Sequence, residues 1–99
     1  MIVYNVTVKV TNEIHDKWFK WMKSTHIPEV LKTGYFVENA MYKVLVEDDD
    51  GVTYSIQYLA TSRDNLQTYF DKVSLALQAK HKDKFEGHYV AFRTILERV

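Results

Sequence analysis

Ninety-nine residues, 46% of them hydrophobic and 26% charged, make one small globular domain rather than a disordered chain. Thirteen basic side chains balance thirteen acidic ones, which gives no electrostatic ground for nucleic acid or an anionic membrane as partner. With no cysteine, a disulfide framework, a thiol nucleophile and a Cys-based metal site are all excluded.

Ile2 to Val10 alternates strictly, with Ile2, Tyr4, Val6, Val8 and Val10 on one face, and predicts a strand. The chain enters this pattern at once and contains no apolar run of membrane-spanning length, so a soluble, cytoplasmic protein without a membrane partner is expected. Thr11 or Asn12 can cap the helix that follows. Its buried face is expected to comprise Ile14, Trp18, Trp21, Met22 and Thr25, widened by Phe19. Pro28 disfavours helical geometry at Ile27 and marks a joint, after which Ile27, Val30 and Leu31 give a second helical turn an apolar side. Gly34 suits the helix exit.

Tyr35 to Glu47 is a long β-rich stretch, and Asp48-Asp49-Asp50-Gly51 predicts a hairpin into a strand over Val52 to Ala60, whose even-numbered residues again form one face. Ser62 caps a second helix with Leu66, Tyr69, Phe70, Val73 and Leu77 on one side. That helix is expected to fray through Lys80-His81-Lys82-Asp83-Lys84 before Gly87. His88 to Val99 is the last strand. The order β-α-β-β-α-β, with right-handed crossovers, places two helices on one face of a four-stranded antiparallel sheet in the order 2-3-1-4: an α+β, ferredoxin-like domain over residues 1–99.

Even-numbered residues are the more apolar set in strands one, three and four, so the helices are expected to cover them. The uncovered face would then carry Asn5, Thr7, Gln57, Leu59 and Arg93, together with Val3, Ala91, Ile95, Val37 and Met41. That mixture predicts a homodimer closed by two such sheets, with Asn5, Thr7, Gln57, Leu59 and Arg93 at the interface.

The chemistry is less marked. Three isolated glycines form no phosphate-cradling loop, no nucleophile elbow or zinc helix motif is present, and neither a metal nor a cofactor is expected. Fourteen aromatic residues stand out. Trp18 and Trp21 would face Tyr54 and Tyr58 with His26 at the joint beside them, a set able to enclose a small flat molecule. His81 is expected to be solvated near a helix end, His15 to lie on the surface of a first turn, and His88 at a strand entry. Three functional readings follow. One is a binder of a small organic molecule between the first helix and the sheet, through Trp18, Trp21, His26, Tyr54 and Tyr58. Another is a cofactor-independent oxygenase or isomerase with His26 as acid–base. The last is a structural or protein-interaction module whose aromatic residues are all core.

Tyr4-Asn5-Val6-Thr7, Trp18-x-x-Trp21-Met22, His26-Ile27-Pro28-Glu29-Val30-Leu31-x-Thr33-Gly34-x-Phe36, Thr53-Tyr54-x-Ile56-Gln57-Tyr58 and Ala91-Phe92-Arg93-Thr94 together resemble a bacterial family of unknown function, known mainly from Bacteroidetes. The resemblance spans nearly the whole chain and implies a dimeric α/β barrel without an assigned activity. More distantly, the architecture is similar to that of antibiotic-biosynthesis monooxygenases and haem-degrading enzymes. The latter pair a first-strand Asn with an aromatic residue on strand three and a His on helix two, for which Asn5, Tyr58 and His81 are the nearest occupants. Here a tyrosine stands in place of the expected tryptophan, and Asn5 and Tyr58 fall on opposite faces by parity.

Overall fold

The computed structural model describes all residues except Asp48 and Asp49. β1 (Ile2–Thr11) leads through a short 3-10 turn (Asn12–Ile14) into α1 (His15–Trp21). A π-helical turn (Met22–His26) follows, then α2 (Ile27–Lys32). The hairpin of β2 (Glu38–Lys43) and β3 (Gly51–Ala60) comes next. α3 (Arg63–Tyr69), a second π-helical turn (Phe70–Ser74), α4 (Leu75–Phe85) and β4 (Tyr89–Glu97) complete the chain. The sheet is antiparallel with order β2-β3-β1-β4, and both helical arms cover one face, which is the expected ferredoxin-like arrangement.

The core forms where that alternation meets the helices. Ile2, Tyr4, Val8 and Val10 of β1 and Tyr54, Ile56, Tyr58 and Ala60 of β3 are buried beneath Trp18, Met22, Ile27, Val30, Leu66, Tyr69, Leu77 and Phe85. The buried residues of each arm step by three or four except once. Met22 to Ile27 and Tyr69 to Ser74 are five apart, and those steps are where each helix widens into a π turn. Val73, expected in the buried stripe, is only partly buried, and Ser74 takes its place.

Pro28 makes no break. Ile27 keeps helical angles (φ −60°, ψ −46°) and its N–H donates to the Met22 carbonyl, five residues back. The widened turn absorbs the carbonyl spacing that a proline would otherwise disrupt. Helix two does not fray at Lys80 to Lys84 either. α4 runs on to Phe85 because Leu77, His81 and Phe85, four residues apart, are all buried. Gly34 leaves the first arm at φ +83° as expected.

The hairpin signal at Asp48 and Asp49 lies outside the described residues. Gly51 has no positive φ. It begins β3 opposite Thr11, where an added Cβ would sit 2.6 Å from the Val10 carbonyl oxygen, so close approach is what requires the glycine. The second strand is shorter than the expected Tyr35–Glu47, covering Glu38–Lys43, and Val44 N–H adds one further bond to the Thr53 carbonyl.

Two strand faces differ from expectation. In β4 the odd residues share the helix side, since Arg93 pairs with Val6, Ala91 with Val8 and Ile95 with Tyr4. In β2, Met41 pairs with Ile56 and also lies on the helix side. Residue weight alone predicts the reverse, but register fixes the side of every residue in a strand at once. Arg93 therefore lies across the sheet from Asn5, Thr7, Gln57 and Leu59. The uncovered face instead gathers Val90, Phe92 and Leu96 of β4, exposed at 68%, 63% and 44%, with Tyr42 of β2 at 56%.

Candidate functional site

Between the two π turns and the sheet lies a cavity of about 40 Å³. Val6, Val8 and Ile56 form its floor and Met22, Val30 and Leu77 its apolar roof. Its polar lining is His26, His81, Gln78 and Arg93 with Tyr4, Tyr58 and Tyr69; among the described residues, no aspartate or glutamate lines it.

The two histidines are built differently. His81 Nε2 receives the indole N–H of the fully buried Trp18 at 2.9 Å. An indole nitrogen can only donate, so Nε2 is bare and the neutral ring carries its proton on Nδ1. Burial draws the His81 pKa down to about 4, with His26 and Arg93 acting in the same direction. His26 stacks on Trp21 at 4.9 Å between centroids, and its Nδ1 is buried without a hydrogen-bond partner. Burial also holds His26 near 4; Glu29 pulls the other way, and Arg93 and Lys80 reinforce the depression. Glu29 is itself bound by Lys80 at 3.0 Å. The two imidazoles are 5.8 Å apart between centroids, and both are neutral at pH 7.

Arg93 Nε donates to the Tyr4 hydroxyl at 3.0 Å and carries the cavity's positive charge. Burial raises Tyr4, opposed by Arg93 and Ser74. It raises Tyr58 further, and pushes Tyr69 up to about 12. All three phenols thus remain protonated donors at neutral pH. Ser74, brought inward by the second π turn, accepts from Gln78 Nε2 at 2.7 Å and keeps that amide at the cavity wall. Hydrogen-bond donors, one guanidinium and two uncharged imidazoles around a space without carboxylates suit a ligand oxygen that carries or develops negative charge.

Of the residues expected to enclose a ligand, only His26 and Tyr58 line this cavity. Trp18 is closed core, and Tyr54 is also buried, with its hydroxyl 2.7 Å from His15 Nε2. Trp21 stands behind His26 and against Phe85 rather than at the cavity wall. His81, expected in solvent, is 8% exposed. His88, at its strand entry, pairs with Glu13 at 3.1 Å. Asn5 Nδ2 donates to Thr7 and its Oδ1 accepts from Ser55 on the uncovered face, so Asn5, Tyr58 and His81 do not meet. Tyr69 and Gln78 were not among the expected site residues, and Arg93 was expected first at the interface. The five-residue step to Ser74 was the sequence trace of where Gln78 and His81 lie, whereas Tyr4 and Arg93 are placed by strand register. Among the described residues, no three His, Asp or Glu side chains are grouped to hold a metal ion, and no helix is long and apolar enough to cross a membrane.

Residues 1–99 match the family described as domain of unknown function (DUF4286). No curated protein matches the chain in sequence. Among solved structures it is similar to SnoaB, a cofactor-independent oxygenase from Streptomyces nogalater, at 11% identity and a TM-score of 0.66 over 98% of this chain and 92% of that one. An antibiotic biosynthesis monooxygenase superposes with a TM-score of 0.69 at 10% identity, over 100% and 99% of the two chains. A dimeric ferredoxin-like protein from an uncultured marine organism gives 0.66 at 13% identity, over 100% and 95%. At these identities the likeness is one of fold.

Proposed function

The chain belongs to the DUF4286 family, and we propose that its fold holds an acid–base site for a small organic molecule, centred on His26, His81 and Arg93. The observation that carries this is the meeting of two neutral imidazoles with a guanidinium and tyrosine hydroxyls around one carboxylate-free cavity. His26 is the base. Its ring is unprotonated at pH 7, its Nδ1 has no partner, and a ligand oxyanion beside it would raise its proton affinity. His81 donates from Nδ1, since Trp18 occupies Nε2. Arg93 offsets charge forming on the ligand oxygen. A ketone losing an α-proton to His26 becomes an enolate, and return of that proton to carbon regenerates the ketone, so no other reactant is consumed.

The test uses 2-tetralone in D₂O at neutral pD, followed by loss of its α-proton NMR signals. Protein-promoted exchange is expected, and His26→Ala should slow it by about 10²-fold or more. Exchange no faster than in buffer would return the site to binding without proton transfer.

The assembly that goes with this reading is a homodimer closed over the uncovered sheet face. Its support is the exposed row of Val90, Phe92 and Leu96, and the dimeric state named for one neighbour of the same fold.

A further inference from the structure

The cavity is too small for the whole of a ring-sized organic molecule. At about 40 Å³ it admits only a few water-sized groups, taking ~10–15 Å³ for each. Whatever places an oxygen there must keep the rest of its body elsewhere. Gln78, Ala91 and Arg93 line the cavity and also line a second, solvent-open groove of about 560 Å³ between α4 and the edge strand β4. That volume falls within the roughly 300–1,000 Å³ usual for ligand pockets. Leu75, Ala79 and Tyr89 give it apolar wall, Leu75 being 78% exposed, while Lys82 and Glu86 add one charge of each sign. Gln78 is held by Ser74 and Arg93 by Tyr4, so the polar groups that border both groove and cavity are fixed in place.

From these shared lining residues we infer that the cavity opens past Arg93 into the groove between α4 and β4, and that the groove is the seat of the ligand's body. The ligand class is an apolar, flat molecule ending in a single carboxylate, carbonyl or phenolic oxygen, with that end group passing Arg93 into the cavity. This rests on the site proposed above and adds the shape of what it takes. The apolar body loses contact with water along Ala79 and Tyr89, while Arg93 orients the oxygen inward. A compact anion would use the cavity alone and forgo the groove.

The experiment compares acetate with 2-naphthoate, following the imidazole proton resonances of His26 and His81 by NMR. Both anions should perturb the two histidines, and 2-naphthoate should bind at least tenfold more tightly. Ala79→Trp, an exposed change that narrows the groove, should weaken 2-naphthoate at least tenfold and leave acetate unaffected. Ala76→Trp, on the same helix but outside the groove lining, should alter neither. If acetate shifts the histidines but 2-naphthoate binds no better, or Ala79→Trp has no effect on it, the groove assignment is overturned and the acid–base site survives. If neither anion reaches the histidines, both fall together.

Discussion

At the scale of single residues, His81 and His26 tie the site to the stability of the fold. Both rings sit near pKa 4 in the folded protein against an ordinary value of about 6.5. Protons therefore favour the unfolded chain between those values. Stability should be full above about pH 6.5, fall as the pH drops through that window, and stop falling on this account below about 4. For the well-buried His81 the shift corresponds to about 3 kcal/mol. Urea unfolding at pH 7 and pH 4.5 should show the loss, and His81→Gln should remove about half of the difference, leaving the share of His26. Trp18 governs the same ring. Trp18→Phe removes the proton donated to His81 Nε2, so the His81 pKa should rise from about 4 in an NMR titration. The lost packing and the unpaired nitrogen together should cost about 3 kcal/mol. A His81 pKa unmoved by that change would mean that burial alone sets it.

At the scale of elements, the two π turns decide what the arms present to the sheet. A regular helix through Met22 would carry Ile27 away from the core, and one through Tyr69 would bury Val73 in place of Ser74. The extra residue in each turn keeps Ile27 inside while His26 borders the cavity, and brings Ser74 in beneath Gln78. Since the first turn accommodates Pro28 without strain, Pro28→Ala should change stability by less than about 1 kcal/mol; a gain near 3 kcal/mol in chemical denaturation would show that the proline is strained. Gly51→Ala should behave otherwise. Its methyl group would press on the Val10 carbonyl of the neighbouring strand, and a loss of about 2 kcal/mol in the same measurement is expected.

At the scale of the whole molecule, β4 has its smaller and more polar side inward and its heavier apolar side outward. Inside, Ala91 and Arg93 border the cavity; outside, Val90 and Phe92 stand in solvent. Under the proposed reading the inner face serves chemistry and a second copy covers the outer one, which accounts for this local inversion of the usual pattern. Light scattering should therefore give a dimer at micromolar concentration. Phe92→Glu should yield a folded monomer, because the substituted side chain points away from the core. A wild-type monomer at that concentration would defeat the dimer.

Strand alternation, helix periodicity, Ser62 and Gly34 were enough to specify the order of elements, because each depends on neighbours close in the chain, and the handedness of the crossovers then gave the sheet order. Much of the core was legible for the same reason: Tyr4, Trp18, Ile56 and Leu66 follow from period two or from helical spacing. The cavity was not. His26 and His81 are 55 positions apart, and Arg93 joins them only because the register of β4 against β1 sets it opposite Val6. Residue weight suggested the other face. Helical spacing determined that Trp18 would be buried; only tertiary packing decided that its N–H would fix the proton of a histidine 63 residues away.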